Sequence, residues 1–280
     1  VTNNSISLAT AAWVSAIICT GNTLEAIAGN YLLKKLSGDD IPFQKPTQVF
    51  QFAFAAILMC LVSSVIGPAA VAAGGIIEWN LFPIVWFTWW LGDLTGIFLF
   101  TPFLFIWIFP SEDEKLKFHP KNIFEALGLL LALLTIGGIV FCDFFSLGIP
   151  FGMAYLIIPV LLWAALRFGL RGITASLLLV SALSIWGAII VPHSFPNDSM
   201  HVTLLSIQGY IAVISLTFLT LSTAINERNL TEKKISEAHN ELAGMVKTKT
   251  TELSFSKKEI ENFKERTSRL REILLRTTLL

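Results

Sequence analysis

Apolar residues run along the first 225 positions in long blocks separated by short polar interruptions, and beyond that point the pattern changes to a heptad repeat. Seven blocks, 6–33, 47–66, 82–109, 123–141, 152–166, 172–191 and 203–225, reach or approach the roughly 20 residues that a helix needs to cross a hydrocarbon core of about 30 Å. The stretch Pro68 to Ile77 is apolar but too short to cross. Its Gly74-Gly75 pair makes it a re-entrant or interfacial piece, tolerated at membrane depth only where other helices cover it. The pattern predicts an all-α fold: a polytopic transmembrane helix bundle of about seven spans plus that re-entrant segment, occupying 1–225. Pro83, Pro102 and Pro159 lie within spans and are expected to kink them.

Residues 226–280 read differently. One heptad frame places Ile235, Leu242, Phe263 and Leu270 at d, and Val246, Leu253, Ile260 and Leu274 at a. His239, Lys249, Ser256 and Thr267 interrupt it, so eight of twelve core positions are apolar. Such a seam calls for a partner helix, most simply the same helix of a second copy, giving a homodimer through a coiled coil. The polar breaks lower stability while fixing register, and Gly244 weakens the helix by about 1 kcal/mol. A helix lying alone on the membrane or on its own bundle is the competing reading.

Composition sharpens the division. The chain of 280 residues is 54% hydrophobic and 14% charged, against roughly 25% charged in soluble domains; its mean hydropathy is +0.68. Eight of the 20 Lys and Arg precede residue 226; the other twelve crowd between Arg228 and Arg276. Within the first part, Lys34, Lys35 and Lys45 fall in one connection, Lys115, Lys117 and Lys121 in another, and Arg167 and Arg171 in a third. The alternate connections, 67–81, 142–151 and 192–202, carry no Lys or Arg. The positive-inside rule places the basic connections, and with them residues 226–280, in the cytoplasm. Val1 then falls outside after seven crossings, which leads us to expect a further membrane segment upstream.

The remaining chemistry is sparse. Cys19, Cys60 and Cys142 lie apart in apolar surroundings and read as buried thiols acting as small hydrophobes. His193 and His201 flank the external loop, but two His and one Asp without helical spacing do not make a metal site, so neither metal nor cofactor is expected. No phosphate-binding Gly-rich loop or His-Glu-x-x-His motif is present. The basic residues of the tail alternate with acids, which argues against nucleic acid as a partner. Ionisable residues within spans are costly and face the bundle interior or an aqueous cavity. Two stand out: Glu25, in Gly21-Asn22-Thr23-Leu24-Glu25, and Asp93, in Trp89-Trp90-Leu91-Gly92-Asp93. They would line a ligand pocket or take up protons, with Asn22, Trp89, Trp90, Trp163 and Arg167 completing the candidate site. Alternatively each is a structural acid paired with a hydroxyl, an amide or Arg167.

Four segments carry a family resemblance: Gly21 to Ala26, Trp90 to Gly96 with Pro102 following, Pro159 to Gly169, and Leu205 to Tyr210 with Asn226-Glu227-Arg228. Residues 1 to about 228 resemble the bacterial membrane-associated sensor domain family MASE1, and Ser236 to Leu242 with Lys249 to Leu253 resemble the signalling helix that precedes output modules. The resemblance implies an N-terminal sensory input, in the bacterial inner membrane, for a histidine kinase or next a diguanylate cyclase. The chain itself would not be an enzyme. A small molecule or a change in the lipid bilayer would be the stimulus, and a response regulator a partner through a kinase domain outside the chain. The family's upstream membrane segments are short or lacking here, so the sensor domain is expected to be incomplete at its N-terminus. A transporter or channel using Glu25 and Asp93, or a membrane-embedded enzyme using the same acids, are the competing functions.

Overall fold

In the computed structural model the described residues are 7–38, 42–109, 121–142, 151–190 and 200–277. The chain divides into two compact units, Val1–Glu227 and Arg228–Leu280. Six helices are long and apolar enough to cross a membrane among the described residues. We number them α1 (Leu8–Ser37), α2 (Pro46–Ala73), α3 (Phe82–Ile108), α4 (Lys121–Cys142), α5 (Ile158–Ile190) and α6 (Met200–Thr277). Short 3₁₀ turns, Trp79–Leu81 and Phe151–Ile157, precede α3 and α5.

Local chemistry sets the ends. The Ser7 side chain caps α1 by accepting from the Thr10 amide, and Gly38, at φ 60°, closes it after Lys34 and Lys35. Pro46 opens α2, where the backbone amides of Gln44 and Lys45 donate to the Gln48 side chain at 2.8 and 3.1 Å. The segment expected to be re-entrant is not so folded. Pro68 lies inside α2, which continues to Ala73 before turning through Gly75 at φ 66°. Apolar length continued the helix; the glycines only end it. Pro83 and Pro159 likewise sit in the first turns of α3 and α5, where a missing N–H costs nothing. Among the described residues only Pro68 and Pro102 interrupt helices.

Six helices stand where seven spans were expected, because two of the expected blocks fall on α5, which reverses direction between them. Gly169 has φ 60° and ψ −148°, outside helical space. On the near side of it, Arg167 pairs with Glu125 and Trp163 packs over Gly128; on the far side, Leu183 meets Gly137 and Gly187 meets Phe141. Ascending α4 therefore encounters the first limb of α5 in descending order and the second in ascending order. The limbs are antiparallel, and the turn predicted at 167–171 is a corner at one glycine.

Two hydrophobic cores fill the first unit. One lies among α1, α2 and α3, around Val49, Phe52, Ala56, Leu94 and Phe98; Phe43, in left-handed backbone, closes it with its ring 5.1 Å from Phe52 and 5.9 Å from Phe105. The other joins α4 and both limbs of α5 around Phe141, Leu161, Ile173, Leu177 and Val180. α6 belongs to both: Ala212 and Leu219 enter the first core, Ile207, Ile211, Ile214 and Phe218 the second. Burial of apolar area does not drive helix association in lipid, so close van der Waals packing and hydrogen bonds carry these contacts.

In the second unit α6 presents the expected heptad residues Ile235, Leu242, Val246, Leu253, Ile260, Phe263 and Leu270 to solvent, 55 to 72% exposed. The side chain of Leu274, the connections holding Lys115 and Lys117, and the loop holding His193 lie outside the described residues.

Candidate functional site

The site starts from a row of small residues. Gly21, Glu25 and Gly29 recur at i, i+4 and i+8, so they share one face of α1 and are all buried against α2. A Cβ on Gly21 would stand 3.1 Å from Ile66, and one on Gly29 would collide with Met59. That close approach brings the Glu25 carboxyl, 7% exposed, into the helix junction. There it faces the buried Cys60 thiol of α2. One turn along α2, the Ser63 hydroxyl donates to Asp93 Oδ2 at 2.6 Å. Three helices thus contribute one cluster of two carboxyls, a thiol and a hydroxyl.

The surroundings tie the cluster to α6. Beside Asp93, Gly92 has no side chain, and Gln208 of α6 fills the gap: a Cβ on Gly92 would be 3.0 Å from Gln208 Nε2. The Thr95 hydroxyl lies 2.7 Å from the Leu91 carbonyl and 3.2 Å from that of Gln208. The Trp90 indole N–H donates to the Ile57 carbonyl at 3.2 Å, and its ring stacks on Trp86 at 6.4 Å. Trp89 packs over Gly67, where a Cβ would be 2.8 Å from the ring. Both indoles therefore lock α3 to α2 next to the acids.

The rest of the expected site is elsewhere. Asn22 is exposed because it lies about 60° from Glu25 on the helix wheel, turned from α2. Trp163 and Arg167 belong to the α4–α5 half. Arg167 is held by a bidentate ion pair with Glu125, its Nη2 donating to Oε1 at 2.7 Å and its Nε to Oε2, so it does not neutralise Glu25 or Asp93. Cys19 is exposed on α1 rather than buried, whereas Cys60 and Cys142 are buried. The sequence did not place Ser63, Glu125 or Gln208 in a site, and Cys60 read only as a buried thiol. The Ser63-Ser64 pair in an apolar span and the acid near the start of α4 were the available signals.

Of the two carboxyls, Glu25 is buried and Asp93 is half-buried against Ser63. Among the described residues no three His, Cys, Asp or Glu side chains are placed to hold a metal ion.

No curated protein and no solved structure matches this chain. The family model MASE1, however, matches residues 2–229, the whole first unit and its junction with the second. The chain belongs to the MASE1 family of membrane-associated sensory domains.

Proposed function

We propose that the chain is the sensory input module of a bacterial signal-transduction receptor, a histidine kinase or a diguanylate cyclase, and that the Glu25–Asp93 cluster is where its stimulus acts. One observation carries this reading: the helix that leaves the bundle, α6, packs against Gly92 and Thr95 on either side of Asp93. A change in the charge or occupancy of the cluster alters the seating of α3, and α6 rests on α3 through Gln208. The same helix also belongs to both cores, so it registers any movement of one half against the other. Moving a two-state output from 1:99 to 99:1 requires about 5.5 kcal/mol of differential stabilisation. An interaction gained or lost in a low-dielectric junction supplies a substantial part of that.

The exposed heptad residues of the second unit suit a parallel dimer with a second copy, which would carry the signal on the cytoplasmic side of the inner membrane. The gathering of Lys34, Lys35, Lys45, Arg167 and Arg171 at the turns between α1 and α2 and within α5 supports that orientation. The decisive experiment replaces Glu25→Gln and Asp93→Asn in a full-length receptor and measures output across the stimulus range. A shifted midpoint or a locked output is expected; an unchanged response curve would remove the acids from sensing.

A further inference from the structure

Three side chains along the membrane portion of α6 have buried polar atoms without a hydrogen-bond partner: Gln208 Oε1, Ser215 Oγ and Ser222 Oγ. They recur at i, i+7 and i+14, so they form one line down the helix. Ser215 is 0% and Ser222 1% exposed. Hydroxyls in helices ordinarily donate to the carbonyl one turn back, as Thr217, Thr220 and the buried Thr223 of α6 do to Val213, Leu216 and Leu219. Ser215 and Ser222 do not. The line also falls at a boundary, between Ala212 and Leu219 facing one core and Ile207, Ile211, Ile214 and Phe218 facing the other.

What lies opposite is α3. Gln208 meets Gly92 and Thr95, and further along Ala212, Leu216 and Leu219 share a core with Phe98 and Phe105, so the two helices run in the same direction. Seven residues further in each helix, Ser215 comes to the level of Leu99 and Pro102, both buried. Pro102 has no N–H, so it leaves the Phe98 carbonyl without its helical donor. An unpartnered hydroxyl and a carbonyl that lacks its helical donor therefore lie at one level of the junction without bonding each other. Orphaned polar groups of this kind, where they persist in folded proteins, are met by ordered water, each molecule needing two to four polar partners.

We propose that the α3–α6 seam binds a column of water molecules, running from Gln208 beside Asp93, past Ser215 and the Phe98 carbonyl, to Ser222. α6 then meets α4 and α5 through dry aliphatic contact and meets α3 through water, whose hydrogen bonds exchange partners without a fixed geometry.

The test is water-edited solid-state NMR on the full chain in lipid bilayers, following magnetisation transfer from water to assigned side chains. Build-up at Ser215, Ser222 and Gln208 should be several-fold faster than at Ile211 and Ile214. It should also exceed that at Val213, which is exposed at the same depth and reports water leaking around the protein. Equal build-up at Ser215 and Ile214 would overturn the proposal. Ser215→Ala is the companion variant: slower transfer at Gln208 is expected from a connected column, and unchanged transfer there would overturn its continuity.

Discussion

The reversal of α5 rests on α4 and the second limb of α5 lying almost backbone to backbone, and glycine substitutions test that directly. A Cβ added at Gly187 would overlap the Phe141 carbonyl oxygen, which belongs to a helix backbone and has nowhere to go. At Gly29 the obstacle is the thioether of Met59, the flexible end of a side chain. At Gly209 nothing lies within 4 Å. Gly→Ala in a helix interior is worth about 1 kcal/mol in favour of alanine. Gly209→Ala should therefore stabilise by up to about 1 kcal/mol. For Gly29→Ala the same gain is offset by moving Met59 from its rotamer, about 1 kcal/mol, for a net near zero. For Gly187→Ala the obstacle is rigid, so the overpacking cost takes the upper value of about 3 kcal/mol and the net loss is about 2 kcal/mol. In thermal unfolding of the purified chain in nanodiscs that loss corresponds to a fall of roughly 4–8 °C. The order of the three variants is the test. If Gly187→Ala were as stable as Gly209→Ala, α4 and α5 would not lie this close, and the hairpin argument would fail with them.

Two further outcomes are expected. Ser63→Ala leaves Asp93 without its donor in a buried junction and should cost about 1–3 kcal/mol, read as a lower unfolding midpoint; adding Asp93→Asn should recover part of that loss, and a fully additive double variant would refute the pairing. In the second unit, single cysteines at Val246, Leu253 and Ile260 should cross-link to a second copy far more efficiently than at solvent-facing positions between them. A flat cross-linking profile would defeat the coiled-coil dimer.

Much of the architecture was legible before any coordinates. Apolar runs near 20 residues leave a chain little choice in lipid, because every backbone N–H and C=O must be satisfied within its own helix. The positions of α1, α3, α4 and α6, and the presence of a turn at 167–171, follow from that requirement. Boundaries were less legible. Pro68 and Gly74-Gly75 suggested a re-entrant piece because breakers were weighed locally, whereas α2 absorbs the proline, its freed backbone being covered by neighbouring helices. Of the site, Glu25 and Asp93 were visible because an acid in an apolar span is costly wherever it points. Arg167 was visible as a charge, but its partner was not.

What the sequence determined by itself was the all-helical membrane class, the two acids, and the heptad frame from Ile235 onward, since each depends on the spacing of residues along one helix. The tertiary structure alone decided which faces meet. It brought Glu25 to Cys60 and Asp93 to Ser63, gave Arg167 to Glu125, and set Gln208 of α6 against Gly92 and Thr95 of α3. The reason is physical: helix–helix contact in lipid depends on how closely two backbones can approach. Gly21, Gly92 and Gly187 permit that approach, but the partner in each case lies 45 or more residues away along the chain.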